Sequence, residues 1–428
     1  MSQQHDTAFE MATSNLRYGP GVTREVGMDL AEMGLRRVLV VTDPRIATLQ
    51  PLEVVRQSLK QGGIDFDVFD QVRVEPTDRS FQQAIDAATT TDYDGFVAVG
   101  GGSSIDTAKA ANLYSTYPAD FMDYVNAPLG GAKTVPGPLK PLIAIPTTAG
   151  TGSETTGVAI FDLSDMHVKT GIAHRRLKPV LGIIDPENTR TMPPLVAAAT
   201  GLDVLCHALE SYTAIPFNSR PRPDRPVQRP AYQGSNPISD VWSAQALRMV
   251  NAYLPRAWKD PSGDDEARGQ MILASAYAGM GFGNSGVHLC HGMSYPLSGM
   301  VRSYCPPGYP DDHALVPHGI SVILTAPAVF RFTAPACPQR HLQAAAWLGA
   351  DTSNVPAEQA GEMLVGRLIE LMQELELPNG IAKLGFTAAD APSLAKGTLP
   401  QHRVTKLSPR QASEADLVDL FEQSLTLW

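Results

Sequence analysis

The stretch YDGFVAVGGGSSIDTAKAANLY, residues 93–114, constrains this chain more than any other. An apolar run meets three consecutive glycines, Gly100, Gly101 and Gly102, and continues into helix-forming sequence. A buried strand, a tight turn and a helix in that order open a βαβ unit, because parallel strands need crossover helices. Further runs repeat the pattern: RRVLVVTD (36–43), GIDFDVFD (63–70), PLIAIPTTAGTGSE (141–154) and PVLGIIDPE (179–187). After about residue 192 the texture changes. The segments 239–258, 265–283, 357–377 and 413–428 carry helical periodicity, and strand-like runs are almost absent. With 428 residues the chain exceeds one ordinary core. The reading is an α/β N-terminal dinucleotide-binding domain with a parallel sheet over 1–191, and an all-helical C-terminal domain over 192–428 that binds a metal.

The glycine turn is the reason to expect a nucleotide. Glycines between a strand and a helix let backbone N–H groups approach an anion, and the helix terminus adds a favourable field. Ser103 and the following Ser104 add hydroxyls. The spacing is not the GxGxxG fingerprint. Asp43, at the end of its strand, is placed either to accept from a ribose hydroxyl, favouring NAD over NADP, or to cap the segment from Pro44. PTTAGTGSE (146–154) sets Thr147, Thr148, Thr151 and Ser153 among glycines, as a solvated turn or as a cofactor clamp.

The metal expectation comes from GLDVLCHALESY (201–212), where Asp203 and His207 stand four residues apart and share a helical face. His288 and His291 follow in VHLCHGMSYPLSGM, and His313 and His318 in DDHALVPHGIS. Five of the ten histidines therefore fall at 207 and within 288–318. Three imidazoles and a carboxylate suit a divalent first-row metal with an open position, though spacing alone does not choose among the histidines.

A formal charge of −10 argues against a nucleic-acid partner, and no apolar run is long enough to span a membrane. The first fifteen residues carry no signal for secretion or organelle import, which predicts a cytoplasmic protein if the source is bacterial. Four cysteines are few for this length and read as free thiols. IPFNSRPRPDRPVQRPAYQGSNP (215–237) is too rich in proline for regular structure. Its Arg220, Arg222, Arg225 and Arg229 are candidates to grip substrate carboxylates, with a solvated loop or an oligomer contact as the alternative.

GGGSSIDTAK, PTTAGTGSE, DVLCHALESY, HGM and VPHG, in that order, resemble the iron-containing (group III) alcohol dehydrogenases, with a dehydroquinate synthase-like architecture. The resemblance runs from about residue 15 to the end. It implies Asp203, His207, His291 and His318 as ligands to a divalent metal, Fe2+ or Zn2+. It implies Asp43, Gly100, Gly101, Gly102, Ser103, Thr147, Thr148, Ser153 and Lys169 as residues around NAD. There are two departures. Many members carry a histidine four residues after the HGM histidine, where this chain has Tyr295, so Tyr295 or His288 is left to handle protons. His291 and His318 lie 27 residues apart, a wider spacing than usual, and 301–315 reads as an insertion at the substrate rim. VRVEPTD, RPAYQGSNPISD, GFGNSGVHLCHGMSYP and LPQHRVTKL resemble the transhydrogenase branch of that family. That branch implies a hydride passed from 4-hydroxybutyrate to 2-oxoglutarate through a nicotinamide that stays bound. The rivals are an NAD-dependent alcohol or 4-hydroxybutyrate dehydrogenase that releases NADH, a metal-dependent lyase and a non-catalytic scaffold. Small hydroxy and oxo acids are the expected partners, and a homo-oligomer is compatible with the sequence.

Overall fold

The computed structural model describes residues 4–166, 168–309 and 313–428. They form two compact units. The α/β unit holds Thr13–Met192 together with Pro261–Ala276. Its strands are β1 (Asn15–Tyr18), β2 (Arg37–Val41), β3 (Asp65–Phe69), β4 (Gly95–Gly100), β5 (Leu142–Pro146), β6 (Val158–Leu163), β7 (Val168–Ala173) and β8 (Leu181–Ile184). Its helices are α1 (Val26–Glu32), α2 (Gln50–Gln61), α3 (Asp78–Thr89), α4 (Gly102–Thr116) and the single turn α5 (Phe121–Tyr124). Six strands make one sheet in the order β1-β8-β5-β4-β2-β3, every pair parallel. β6 and β7 form a separate antiparallel hairpin.

The sheet shows why its strands read as unbroken apolar runs. Val38, Val40, Val97, Val99, Ile143 and Ile145 bury one face with Leu30, Leu52 and Leu59. Leu39, Val41, Phe96, Ala98 and Ala144 bury the other with Ala84, Ile105 and Ala108. Alternate residues point to opposite faces, so a sheet covered on both sides admits no polar period. The loops after β2, β4 and β5 leave the carboxyl ends of neighbouring strands, the edge where open α/β sheets hold ligands. Those loops carry Asp43, the glycine turn and the threonine-rich segment.

The helical unit holds the described residues through Ala12, Pro193–Asp260 and Tyr277–Trp428. Its helices are α6 (Pro194–Thr213), α7 (Pro237–Lys259), α8 (Asp265–Ser285, whose first half belongs to the other unit), α9 (Leu289–Gly299), α10 (His318–Ile323), α11 (Ala326–Thr333), α12 (Pro338–Trp347), α13 (Ala360–Glu374), α14 (Ala391–Thr398), α15 (His402–Thr405) and α16 (Glu414–Gln423). α6 is buried on every side from Gly201 onward and packs against α7, α9, α10 and α12. A helix apolar all round is a central helix, and its few polar residues are therefore sealed in. Among the described residues no helix is long and apolar enough to cross a membrane.

The division differs from the expected cut at 191/192 in two places. The N-terminal residues belong to the helical unit because Glu10 and Ala12 N–H groups donate to Gln233 and Asn284 at 2.9 Å. Residues 261–276 belong to the α/β unit, where the Tyr18 hydroxyl donates to Gly269 O at 3.2 Å. The proline- and arginine-rich segment contains only the short 3-10 turns Phe217–Ser219 and Pro226–Gln228. The middle of the 301–315 insertion, residues 310–312, lies outside the described residues.

Two glycines give opposite expectations for one substitution. A Cβ on Gly319, in α10, would lie 1.8 Å from Ala199 O of α6, so the helices touch through bare backbone. A Cβ on Gly366, in α13, meets nothing within 4 Å. Thermal melts should show Gly319→Ala destabilised by about 1–3 kcal/mol from overpacking. Gly366→Ala should gain roughly 0.5–1 kcal/mol, because alanine restricts the unfolded chain.

Candidate metal centre

Three elements converge on one carboxylate oxygen. α6 contributes Asp203 and His207, α9 contributes His291, and α10 contributes His318 as its first residue. Asp203 Oδ1 lies 3.7 Å from His207 Nε2, 3.5 Å from His291 Nε2 and 3.8 Å from His318 Nε2. Tetrahedral ligands at 2.0–2.2 Å from a shared ion stand about 3.4 Å apart, so these separations fit a common centre. Ligand atoms of Asp203, His291 and His318 all lie within 4.8 Å of one another. His207 joins them with its ring stacked 4.7 Å from that of His291 and 3.8 Å from that of Phe282.

The atoms themselves call for a cation. Asp203 Oδ1 and His291 Nε2 are buried, face each other and make no hydrogen bond. Buried polar atoms without partners are costly, and an ion would satisfy both. Burial pushes His207 down to about 3, leaving it neutral with a lone pair to give. Burial would raise Asp203, but the imidazoles of His207, His318 and His291 outweigh it and hold the carboxyl at about 2. Side-chain exposure is 25% for His318 against 2–5% for the other three, so the centre is most open beside α10.

Glu210 is the residue that sequence reasoning passed over. It sits seven residues after Asp203 on the same face of α6, fully buried. Its Oε1 accepts the backbone N–H groups of His288 at 3.0 Å, Cys290 at 2.7 Å and His291 at 3.3 Å. Its Oε2 pairs with His291 Nδ1. One carboxylate thus caps α9 and turns the His291 ring so that Nε2 faces Asp203. The cue was the i, i+4, i+7 register inside the Asp203–His207 stretch.

His288 is placed differently from the expected relay. Its Nδ1 accepts the Leu289 N–H at 2.8 Å, its Nε2 contacts Thr213 Oγ1 at 2.9 Å, and burial pushes it down to about 4. Thr213 Oγ1 itself donates to Leu209 O, so His288 donates to Thr213 and both its nitrogens are committed. Tyr295 does lie by the centre: its ring is 6.5 Å from His318, and its hydroxyl accepts from Arg403 Nη2 at 3.2 Å.

In the α/β unit the expected nucleotide residues divide. A Cβ on Gly100 would lie 2.3 Å from Ser104 Oγ, and one on Gly102 would lie 2.5 Å from Thr151 Cγ2. The Gly101 position faces Thr148 Oγ1 at 3.3 Å, and the Thr147 N–H donates to Gly100 O at 3.0 Å. The turn thus carries no side chain of its own at the start of α4, its glycines making room for Ser104, Thr148 and Thr151, with the buried Ser104 hydroxyl unpartnered beside it. Ser103 is the second residue of α4. Asp43 caps its own turn, Oδ1 accepting from Arg45 at 2.9 Å and Ile46 at 3.0 Å, while Oδ2 faces Gly100. Two other residues are spent on structure. The Ser153 hydroxyl is shared between Asp106 and the buried Lys109, whose Nζ also donates to Val158 O at 2.8 Å. Lys169 Nζ pairs with Glu75 at 2.5 Å and Asp162 at 3.4 Å.

The arginine-rich segment also departs from expectation. Asp6, buried near the N-terminus, accepts from Arg220 at 2.8 Å and Arg229 at 3.0 Å, so these forks tie down the N-terminal segment. Arg222 and Arg225 are on the surface.

Glu210→Gln should weaken metal affinity by roughly 10–100-fold, as loss of a supporting carboxylate does. Metal retained against a competing chelator measures it, and wild-type retention would show that Glu210 does not set the His291 ring.

Two family models match the chain: "Iron-containing alcohol dehydrogenase" over residues 13–186 and "Fe-containing alcohol dehydrogenase family, C-terminal" over 231–425. Two curated relatives, the mitochondrial hydroxyacid-oxoacid transhydrogenases of Bos taurus and Rattus norvegicus, are each 59% identical over 425 residues, covering 99% of this chain and 91% of theirs. A solved 1,3-propanediol oxidoreductase superposes with a TM-score of 0.85 at 26% identity, over 97% of this chain and 100% of its own. With the metal constellation and glycine turn in place, these likenesses lead to one conclusion: the chain is a member of the iron-containing alcohol dehydrogenase family, an oxidoreductase.

Proposed function

We propose that this enzyme moves a hydride from a hydroxy acid to an oxo acid, with 4-hydroxybutyrate as donor and 2-oxoglutarate as acceptor. The observation that carries the reading is 59% identity, over 99% of the chain, to relatives named hydroxyacid-oxoacid transhydrogenase. The donor leaves as succinic semialdehyde and the acceptor as 2-hydroxyglutarate, so the two half-reactions balance without net use of nicotinamide. The ligand set is Asp203, His207, His291 and His318, and both Fe2+ and Zn2+ suit its donors. When bound, the cation supplies Lewis-acid polarisation of the substrate oxygen, and NAD supplies the hydride-carrying ring.

The rest falls to the chain. Gly100, Gly101 and Gly102 open the backbone to a pyrophosphate at the start of α4, with Ser103, Thr147 and Thr148 around it. Asp43 offers Oδ2 to a ribose hydroxyl, a position that disfavours a 2′-phosphate. Glu210 keeps His291 Nδ1 occupied, so the ring meets the cation only through Nε2. Of the two residues considered for proton handling, Tyr295 is the one beside a ligand ring.

The test is to incubate the purified enzyme with 4-hydroxybutyrate and 2-oxoglutarate and no added NAD. Turnover in stoichiometric excess over enzyme, abolished by a chelator and restored by Fe2+ or Zn2+, is expected. A strict need for added NAD, with NADH accumulating, would make it an ordinary dehydrogenase.

A further inference from the structure

Arg403 is packed into the protein with no acid beside it among the described residues. Arg17, Arg37, Arg302, Arg331 and Arg340 each hold a carboxylate within salt-bridge distance. Among the described residues no carboxylate pairs with Arg403, although the protein carries a net charge of −10. Its Nη2 donates to the Tyr295 hydroxyl at 3.2 Å, and its guanidinium lies 4.9 Å from the centre of the Tyr232 ring. Its Nη1 is buried and makes no hydrogen bond. A guanidinium over the Tyr232 ring gains cation–π energy, but a sealed N–H without an acceptor keeps its desolvation cost.

Both tyrosine rings lead to the metal centre. Tyr295 faces His318 at 6.5 Å. Tyr232 faces Phe282 at 6.5 Å, and Phe282 stacks on His207. One residue beyond α15, Lys406 also has no carboxylate partner among the described residues. Lys406, Tyr232 and Gln233 line a cavity of about 320 Å³. Burial, and then the charge of Arg403, push the Lys406 ammonium below its ordinary value, which marks the two cations as neighbours. A pair of adjacent cations with no acid, one aromatic layer from the metal ligands, is arranged to receive an anion.

We propose that Arg403, supported by Lys406, is the receptor for the carboxylate that the acid substrates carry away from the reacting carbon. The inference rests on the function proposed above and names the residue that would make the enzyme prefer acids to plain alcohols. Part of the Arg403 side chain remains exposed, so rotation of the side chain is enough to turn its fork to a ligand.

The test uses holoenzyme in three forms: wild type, Arg403→Met and Arg403→Lys. Calorimetry gives the Kd of butyrate, an acid with no hydroxyl to oxidise. Single-turnover reduction of the bound nicotinamide gives kcat/KM for 4-hydroxybutyrate and for butan-1-ol. Arg403→Met should weaken butyrate on the order of 100-fold and lower the acid-to-alcohol ratio of kcat/KM by a similar factor. Arg403→Lys, which keeps the charge but not the fork, should fall between, roughly tenfold weaker than wild type. An unchanged butyrate Kd in either variant, or equal losses on acid and alcohol, overturns the assignment and leaves Arg403 as packing for Tyr295. If Arg403→Met does not fold, the lysine variant alone decides. Wild-type enzyme that takes no hydride from 4-hydroxybutyrate would instead overturn the proposed function, so the two failures are distinct.

Discussion

The carboxylate of Glu210 is the interaction on which the candidate metal centre depends. A fully buried acid needs several donors, and this one takes three backbone N–H groups from the start of α9 together with the His291 ring. Burial would raise such a group, yet the charges of His291 and His288 and these hydrogen bonds hold it at about 2. The same bonds fix where α9 begins and which nitrogen of His291 points at Asp203. Gly319 does the matching work for His318, since only a residue without a side chain lets α10 approach Ala199. The geometry of the candidate ligands is thus set one layer behind them.

The two units solve their binding problems with different materials. The helical unit offers side chains held by buried hydrogen bonds, as the proposed cation site requires, because directional ligation needs fixed lone pairs. The α/β unit offers bare backbone at its glycine turn, the material that suits the proposed pyrophosphate, which is best met by several N–H groups at once. Lys109 shows what supports that backbone: buried behind the threonine-rich loop, it pins Ser153 and Val158 from within.

What was legible in the sequence follows from how local each signal is. The parallel strands and the glycine turn announce themselves in runs of six to twenty residues. The Asp203–His207 pair was visible because its spacing matches a helical turn, and the other ligands because histidine is scarce. Glu210 was overlooked because a glutamate near the end of a helix ordinarily faces water, and only three-dimensional packing shows it sealed. The β6–β7 hairpin was missed because charged and polar residues such as Asp162 and Lys169 interrupt its apolar pattern. Arg220 and Arg229 suggested a substrate grip because their true partner, Asp6, lies more than two hundred residues away along the chain. Arg403 gave no signal, since a missing counter-ion is a property of the fold.

Asp43 carries a consequence for anyone wishing to redesign the enzyme. One of its oxygens ties off the loop that follows β2 while the other looks across at the glycine turn. Replacing it with a side chain that has no acceptor there, to admit a nucleotide with a 2′-phosphate, would therefore also untie that loop. Asparagine, serine and threonine alone keep the knot without the charge. On the proposed reading, cofactor choice and local folding meet in a single side chain, and relaxing the first means keeping an acceptor for the second.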